Sequence, residues 1–265
     1  WVEYLCLKQT LGLADLVFCD YCTAVSMITL PDLSSLAAPL RSLVLQAGAR
    51  ILEIYDDGHE VRQKADASPV TDADEEAEQI ILAGLRGLTP DIPIVAEESA
   101  AAGVMPDVSG GIFWLVDPLD GTKEFISRNG EFTVNIALIS DGAPILGIVY
   151  APAIGRLFIG WDNQASAEIQ NHDGSWEAPQ PIAVRQPPEQ GLTAVASRSH
   201  RDEATEVFLA SLNVAEVKSA GSSLKLCLVA AGEADIYPRF GTTMEWDIGA
   251  GHAILAAAGG LIVTD

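Results

Sequence analysis

Basic residues are scarce in this 265-residue chain: 15 Lys and Arg stand against 37 Asp and Glu, a formal net charge of −22. With no basic stripe, binding to a nucleic acid polymer through its backbone charge is excluded. Cysteine is equally sparse. Cys6, Cys19, Cys22 and Cys227 cannot form a disulfide framework in a chain this long, and the single C-x-x-C at 19–22 has no second pair to complete a zinc site. A reducing, cytoplasmic setting is expected. Of the four histidines, His59, His172 and His252 offer no pairing for acid–base work, and His200 reads as a loop residue. Long uncharged apolar runs are missing too. Residues 1–30 are apolar, but Asp15 and Asp20 interrupt them, and no basic n-region or cleavage site precedes the rest. Because the first helical pattern follows Met27, residues 1–26 read as an atypical extension, with translation naturally starting at Met27; a peripheral contact with the inner face of the cell membrane is the alternative. What remains, 49% hydrophobic and 20% charged residues, is a globular chain with ample core.

The apolar spacing of Leu36, Leu40, Leu43, Val44, Ala47 and Ile51 predicts a helix over 33–55, capped by Asp32 or Ser34 and ended at Asp57-Gly58. Residues 61–67 read as extended. A second helix is expected over 73–88, with Asp72 and Asp74 as N-cap and first-turn acids. Ile94–Ala96 predicts a short strand ending at Glu97-Glu98. Runs at 132–139 and 145–150, joined by Asp141-Gly142, predict a hairpin, and Leu157–Trp161 extends the sheet. The Pro/Gln-rich stretch 181–191 marks a lobe boundary, giving an N-terminal α+β lobe over 27–185 and a C-terminal α/β lobe over 186–265. In the second lobe, strands are expected at 193–196, 214–218, 234–237 and 261–264. Helices are expected at 201–212, 222–231 and 247–258.

The most informative run is Trp-Leu-Val-Asp-Pro-Leu-Asp-Gly-Thr-Lys-Glu-Phe at 114–125. An apolar stretch delivers Asp117 and Asp120 into a turn shaped by Pro118 and Gly121, with Thr122 at a helix start. Carboxylates three apart on a turn can face one hard cation, and the amides of Gly121 and Thr122 then point at the anion it attracts. Three further acidic stations fit the same picture: Glu97-Glu98, Asp72-x-Asp74, and Glu245-Trp246-Asp247 with Asp247 at a helix start. Taken singly, the acids at helix starts are more often plain caps or first-turn acids, and Glu97-Glu98 would usually be a solvated strand end. Together with the carbonyl of Leu119 they supply enough oxygen ligands for two magnesium ions. Such ions would also reconcile a strongly acidic chain with a phosphate ester. The anion side is Gly221-Ser222-Ser223 at the start of another helix, with the polar cluster 197–200 as a second candidate contact. Two look-alikes fail. The acids are three apart rather than two, as D-x-D-x-T requires, and an EF-hand loop from Asp72 would need Gly and Glu where Ala77 and Ala83 stand.

These motifs, with the upstream VAEES and the downstream GSSLKLCLVAAGEADIYPR and EWDIGAGHAILAAAGG, resemble the inositol-monophosphatase-like phosphatases. Lys-Glu-Phe after Asp-Gly-Thr, Asn129–Thr133, Ser197–His200 and Pro238–Gly241 place the resemblance nearest the 3′(2′),5′-bisphosphate nucleotidase branch. The resemblance implies a layered α-β-α-β-α sandwich whose last strand and helix lie beyond residue 265. It implies two or three magnesium ions on Glu97, Asp117, the Leu119 carbonyl, Asp120 and Asp247. It further implies Asp74, Thr122 and Glu97 as catalytic groups, with Thr122 and Asp74 activating the attacking water. Substrate would be held by Leu119, Asp120, Gly121, Thr122, Gly221, Ser222, Ser223, Lys225, Arg239 and Asp247. Inositol-specific members tend to carry Glu where Arg239 stands, so a second phosphate is favoured over a neutral polyol.

The expected activity is hydrolysis of the 3′-phosphate of 3′-phosphoadenosine 5′-phosphate to AMP and phosphate, on a monomer or homodimer. The rivals are an inositol monophosphatase, a broad sugar phosphatase acting on fructose 1,6-bisphosphate, and an inactive metal- or nucleotide-binding module.

Overall fold

The structure, a computed structural model, describes residues 30–57, 61–63, 69–197 and 202–263. The expectations for residues 1–26, Gly58, His59 and Arg198–His200 lie outside these. Helix α1 (Leu33–Asp57) opens the described chain, with Asp32 accepting from the Ser34 amide at 3.1 Å. A small antiparallel pair, β1 (Val61–Gln63) and β2 (Pro69–Thr71), leads into α2 (Asp72–Leu88). The cap of α2 is Thr71 rather than Asp72, since Thr71 alone has its hydroxyl placed on the Ala73 amide while Asp72 turns outward to Arg62.

Next come β3 (Ile94–Ala96), the five-residue α3 (Glu97–Ala101), β4 (Ile112–Asp120) and α4 (Thr122–Ile126). Strands β5 (Thr133–Ser140), β6 (Ala143–Ala151), β7 (Arg156–Trp161), β8 (Gln164–Ile169) and β9 (Gln180–Pro181) complete a seven-stranded sheet in the order β3-β4-β5-β6-β7-β8-β9. It is antiparallel except where β3 runs parallel to β4. The Asp141-Gly142 turn closes β5 on β6 with both residues in the left-handed region, as expected for that dipeptide.

Helices α1 and α2 cover one face of this sheet, burying Leu40, Ile51, Ile81 and Leu85 against Trp114, Ile136 and Leu146. On the other face lie α6 (Leu224–Ala230) and α7 (Glu245–Ala257). Beyond them β10 (Leu192–Ser197) and β11 (Val214–Ala220) pair in parallel, linked by α5 (Glu203–Ala210). This is the layered α-β-α-β-α fold. Helix α7 approaches the sheet closely because Gly147 and Gly160, paired across β6 and β7, have no side chains: a Cβ on Gly147 would lie 2.2 Å from the Ala250 carbonyl oxygen.

Three expectations need correction. Residues 234–237 form no strand, only a parallel bridge in which the Val195 amide reaches the Ile236 carbonyl at 2.8 Å. Residues 261–263 are not extended into a sheet, and Leu261 and Val263 are 85% and 83% exposed. The run 117–120 is not a free turn, because β4 continues through Pro118 to Asp120 with a register break against β5. Such a bulge re-aims side chains while keeping the strand attached to the sheet. Among the described residues no helix is long and apolar enough to cross a membrane.

Candidate active site

The end of β4 carries Asp120 into a cavity of about 270 Å³ lined by Glu97, Asp120, Gly121, Thr122, Ser223, Lys225, Tyr237, Arg239 and Asp247, among others, with Asp117 buried next to these acids. Gly121 makes the strand-to-helix junction with φ of 91°, a conformation that suits glycine, and the Ser222 hydroxyl occupies the space a Cβ would need. The bulge and this junction bring residues 120–122 to the cavity in succession.

Three carboxyl groups enter from other elements. Glu97 begins α3, directly after β3. Asp247 sits at the third position of α7, not its cap, where its carboxylate accepts from the Met244 amide at 3.0 Å and the Thr243 hydroxyl at 2.8 Å. Asp74, also at a third helical position, accepts the amide and hydroxyl of Thr71 on one oxygen at 2.8 and 2.7 Å. Its other oxygen accepts the Thr122 hydroxyl at 3.1 Å. Both acids, at the third position, accept the amide of their helix's cap residue and still reach the site, so the structural and the chemical readings hold at once.

The electrostatics are those of crowded, desolvated anions. Burial holds Asp117 well above the usual carboxylate range, reinforced by Glu97, Asp120 and Asp247, and its carboxyl lies within hydrogen-bonding reach of Glu97. Asp120 is pushed up to about 7, by burial first and then by Asp247, with Lys225 opposing. Asp74 rises to about 6, again chiefly through burial, against the hydrogen bonds from Thr71 and Thr122. Two carboxyls in contact need a proton or a cation between them. Every donor is a hard oxygen, as a divalent cation of the magnesium type requires. Among the described residues no three side chains of the His, Cys, Asp and Glu type converge closely enough to hold an ion by themselves, so main-chain, solvent or ester oxygens must complete a shell.

The Gly221–Ser223 segment is placed differently from a simple open cradle. It precedes α6 as a turn, and its hydroxyls face protein groups. Ser222 lies at φ of 51° and its Oγ is 2.8 Å from the Asp120 carbonyl and 2.7 Å from that of Glu131. Ser223 donates to the Asp247 carbonyl and accepts from Asn135 Nδ2 at 2.9 Å, while its amide meets the Asp120 carboxylate. Lys225 is buried, its Nζ bonded to the Ser222 carbonyl at 2.6 Å and lying 5.3 Å from the Tyr237 ring centre. Burial lowers its pKa, with Asp120 acting the other way. Arg239 lines the same cavity and is anchored on the Thr242 carbonyl at 2.7 Å. Of the polar cluster 197–200, Ser197 alone falls within the described residues, and it too lines the cavity. Asn135 and Thr243 lie outside the quoted motifs, and Tyr237 lies inside one without a role read from it. A polar Asn inside the buried run of β5 was the one legible signal among them.

The sequence profile of the inositol monophosphatase family matches residues 32–265. The 3′(2′),5′-bisphosphate nucleotidase CysQ of Salmonella typhimurium is 48% identical over 221 residues, covering 82% of this chain and 85% of that protein. Among solved structures, CysQ from Bacteroides thetaiotaomicron, a bacterial member of the same family, aligns with a TM-score of 0.70 at 40% identity over 85% of this chain and 87% of that one. Inositol monophosphatase from Anabaena sp. PCC 7120 aligns with a TM-score of 0.67 at 27% identity, over 86% and 82% of the two chains.

Proposed function

The chain belongs to the inositol monophosphatase family, and from that premise we propose that it hydrolyses the 3′-phosphate of 3′-phosphoadenosine 5′-phosphate, yielding AMP and phosphate. The family is metal-dependent. We assign magnesium, two or three ions, to Glu97, Asp117, the Leu119 carbonyl, Asp120 and Asp247. The observation that carries the substrate choice is the mixed lining of one cavity: the carboxylates of Glu97, Asp120 and Asp247 share it with the cations of Lys225 and Arg239 and with Tyr237. A bisphosphorylated nucleoside can give one phosphate to the metal-binding acids and a second to the cations, whereas inositol 1-phosphate has only one to give.

When bound, magnesium neutralises the acids, polarises a water and offsets charge on the phosphoryl oxygens. The protein's own groups do the rest. Thr122 Oγ1 gives its hydrogen to Asp74 Oδ1, so its lone pairs are free to accept a hydrogen from the water aimed at phosphorus. The ionised form of Asp74 accepts all three hydrogens, from the Thr71 amide and hydroxyl and from Thr122, with no carboxyl proton in the way, and these donors favour that form. The Gly121 and Thr122 amides, at the start of α4, hold the phosphoryl oxygens. Arg239 takes the second phosphate. No side-chain nucleophile is required.

The test is phosphate release from 3′-phosphoadenosine 5′-phosphate, inositol 1-phosphate and fructose 1,6-bisphosphate in parallel, each with a magnesium titration. The bisphosphonucleoside should be preferred by kcat/KM. Preference for either of the other two overturns the assignment, and nucleotide binding without release in excess magnesium marks an inactive module.

A further inference from the structure

Resting on the reading of a metal-dependent phosphatase, we propose that Glu78 is a positioning residue that fixes Glu97 for metal capture, and that α2 is the common reference for both ends of the reaction centre. Glu78 lies four residues after Asp74, hence about one turn along the same face of α2, or about 6 Å. Both side chains are only 1% exposed. A buried carboxylate is costly unless its oxygens are occupied, and those of Glu78 are. Oε2 accepts the Glu98 amide at 2.8 Å; Oε1 accepts the Ser99 amide at 2.9 Å and the Ser99 hydroxyl.

These are the first free amides of α3, which its own N-cap cannot satisfy, since Ala96 has no capping side chain. A helix of five residues has little stability of its own. The start of α3 is therefore held from outside, by a carboxylate 20 residues upstream. Glu97 immediately precedes the clamped amide, so the direction of its side chain follows from Glu78. One turn earlier, Asp74 holds Thr122. The spacing of two carboxylates on one helix thus sets the separation between Glu97 and the hydroxyl that handles the water.

Glu78→Gln keeps the shape but turns one acceptor into a donor facing an amide. Groups that orient metal ligands typically change affinity by about 10–100-fold when altered. Magnesium binding is measured calorimetrically without substrate, alongside half-saturating magnesium in phosphate release. For Glu78→Gln the calorimetric Kd and the half-saturating concentration should both rise by about tenfold or more, while kcat at saturating magnesium stays within about twofold because the Asp74–Thr122 pair is untouched. Ser99→Ala, which removes one of the three donors, should shift both in the same direction by less. Glu76→Gln, on the outer face of α2 in a pair with Arg50, should match the wild type.

A Glu78→Gln protein with lower melting temperature but an unchanged magnesium isotherm shows a purely structural role and overturns the proposal. Should that variant fail to fold, an unchanged isotherm for Ser99→Ala does the same. If the wild type itself neither binds magnesium nor releases phosphate, the phosphatase reading is what fails, and this inference falls with it.

Discussion

Replacing Asp120 by Asn should make the metal-free protein more stable while abolishing its turnover. In the folded protein Asp120 titrates at about 7, against 3.8 for an ordinary aspartate. At about 1.4 kcal/mol per pH unit, holding it ionised costs up to about 4 kcal/mol. Protonation of Asp117 relieves part of the same repulsion, so about 2–4 kcal/mol is expected. The sign follows from a folded pKa above the unfolded one. Folding takes up a proton, so the penalty is absent below pH ~4, grows as pH rises and is complete above pH ~7. Asn carries no such penalty and keeps an acceptor near the Asn135 amide, 3.5 Å from Asp120. Thermal unfolding in EDTA should therefore show equal midpoints at pH ~4 and a gain for Asp120→Asn of about 4–15 °C at pH ~8. Magnesium should then raise the wild-type midpoint by mass action and leave the variant nearly unmoved. If the variant is less stable than the wild type in EDTA at pH ~8, or both respond alike to magnesium, the crowded-anion account is wrong.

Thr122→Val should lower kcat by about 10²–10⁴-fold with little change in magnesium dependence, the outcome expected of the proposed proton-handling group that is not itself a ligand; a loss below tenfold in steady-state kinetics would remove it from that role. Arg239→Ala should raise KM for the bisphosphonucleoside by tenfold or more, the scale of a lost charge-assisted contact of about 1.5–3 kcal/mol, and spare inositol 1-phosphate; equal losses on both would contradict the second-phosphate assignment. Gly147→Ala should cost about 1–3 kcal/mol in urea unfolding, since its methyl group would meet the Ala250 carbonyl. It should also weaken magnesium binding by displacing Asp247, and an unchanged unfolding midpoint would count against close seating of α7.

Elements with their own periodicity were legible in advance. The face of α1 from Leu36 to Ile51 is buried as its spacing requires, and the apolar run of β5 folds onto β6 at the expected dipeptide. The site was legible for a different reason, namely that Asp117, Asp120, Gly121 and Thr122 are neighbours in sequence as well as in space. What escaped reading depends on distant partners. Helix α3 is too short for a pattern, and its first amides are held by Glu78. Strand β8, Gln-Ala-Ser-Ala-Glu-Ile, lacks strand-forming composition and is extended because β7 offers it a ladder. Conversely, Ala234–Tyr237 has strand-like local sequence and secures just one bridge beside β10. The Ser222 and Ser223 hydroxyls suggested an open anion site by composition, but their acceptors lie roughly 90 or more residues back in the chain or on α7.

Those long-range serine contacts have a bearing on biosynthesis. The carbonyls of Asp120 and Glu131 wait for a hydroxyl 102 and 91 residues later, and the last acid, at 247, arrives later still. A growing polypeptide leaving the ribosome therefore displays its first carboxylates long before it can cut an ester. Chains ended before residue 247 should carry the signature motif at 114–125 yet release no phosphate, so that activity would report chains read past the proposed last ligand.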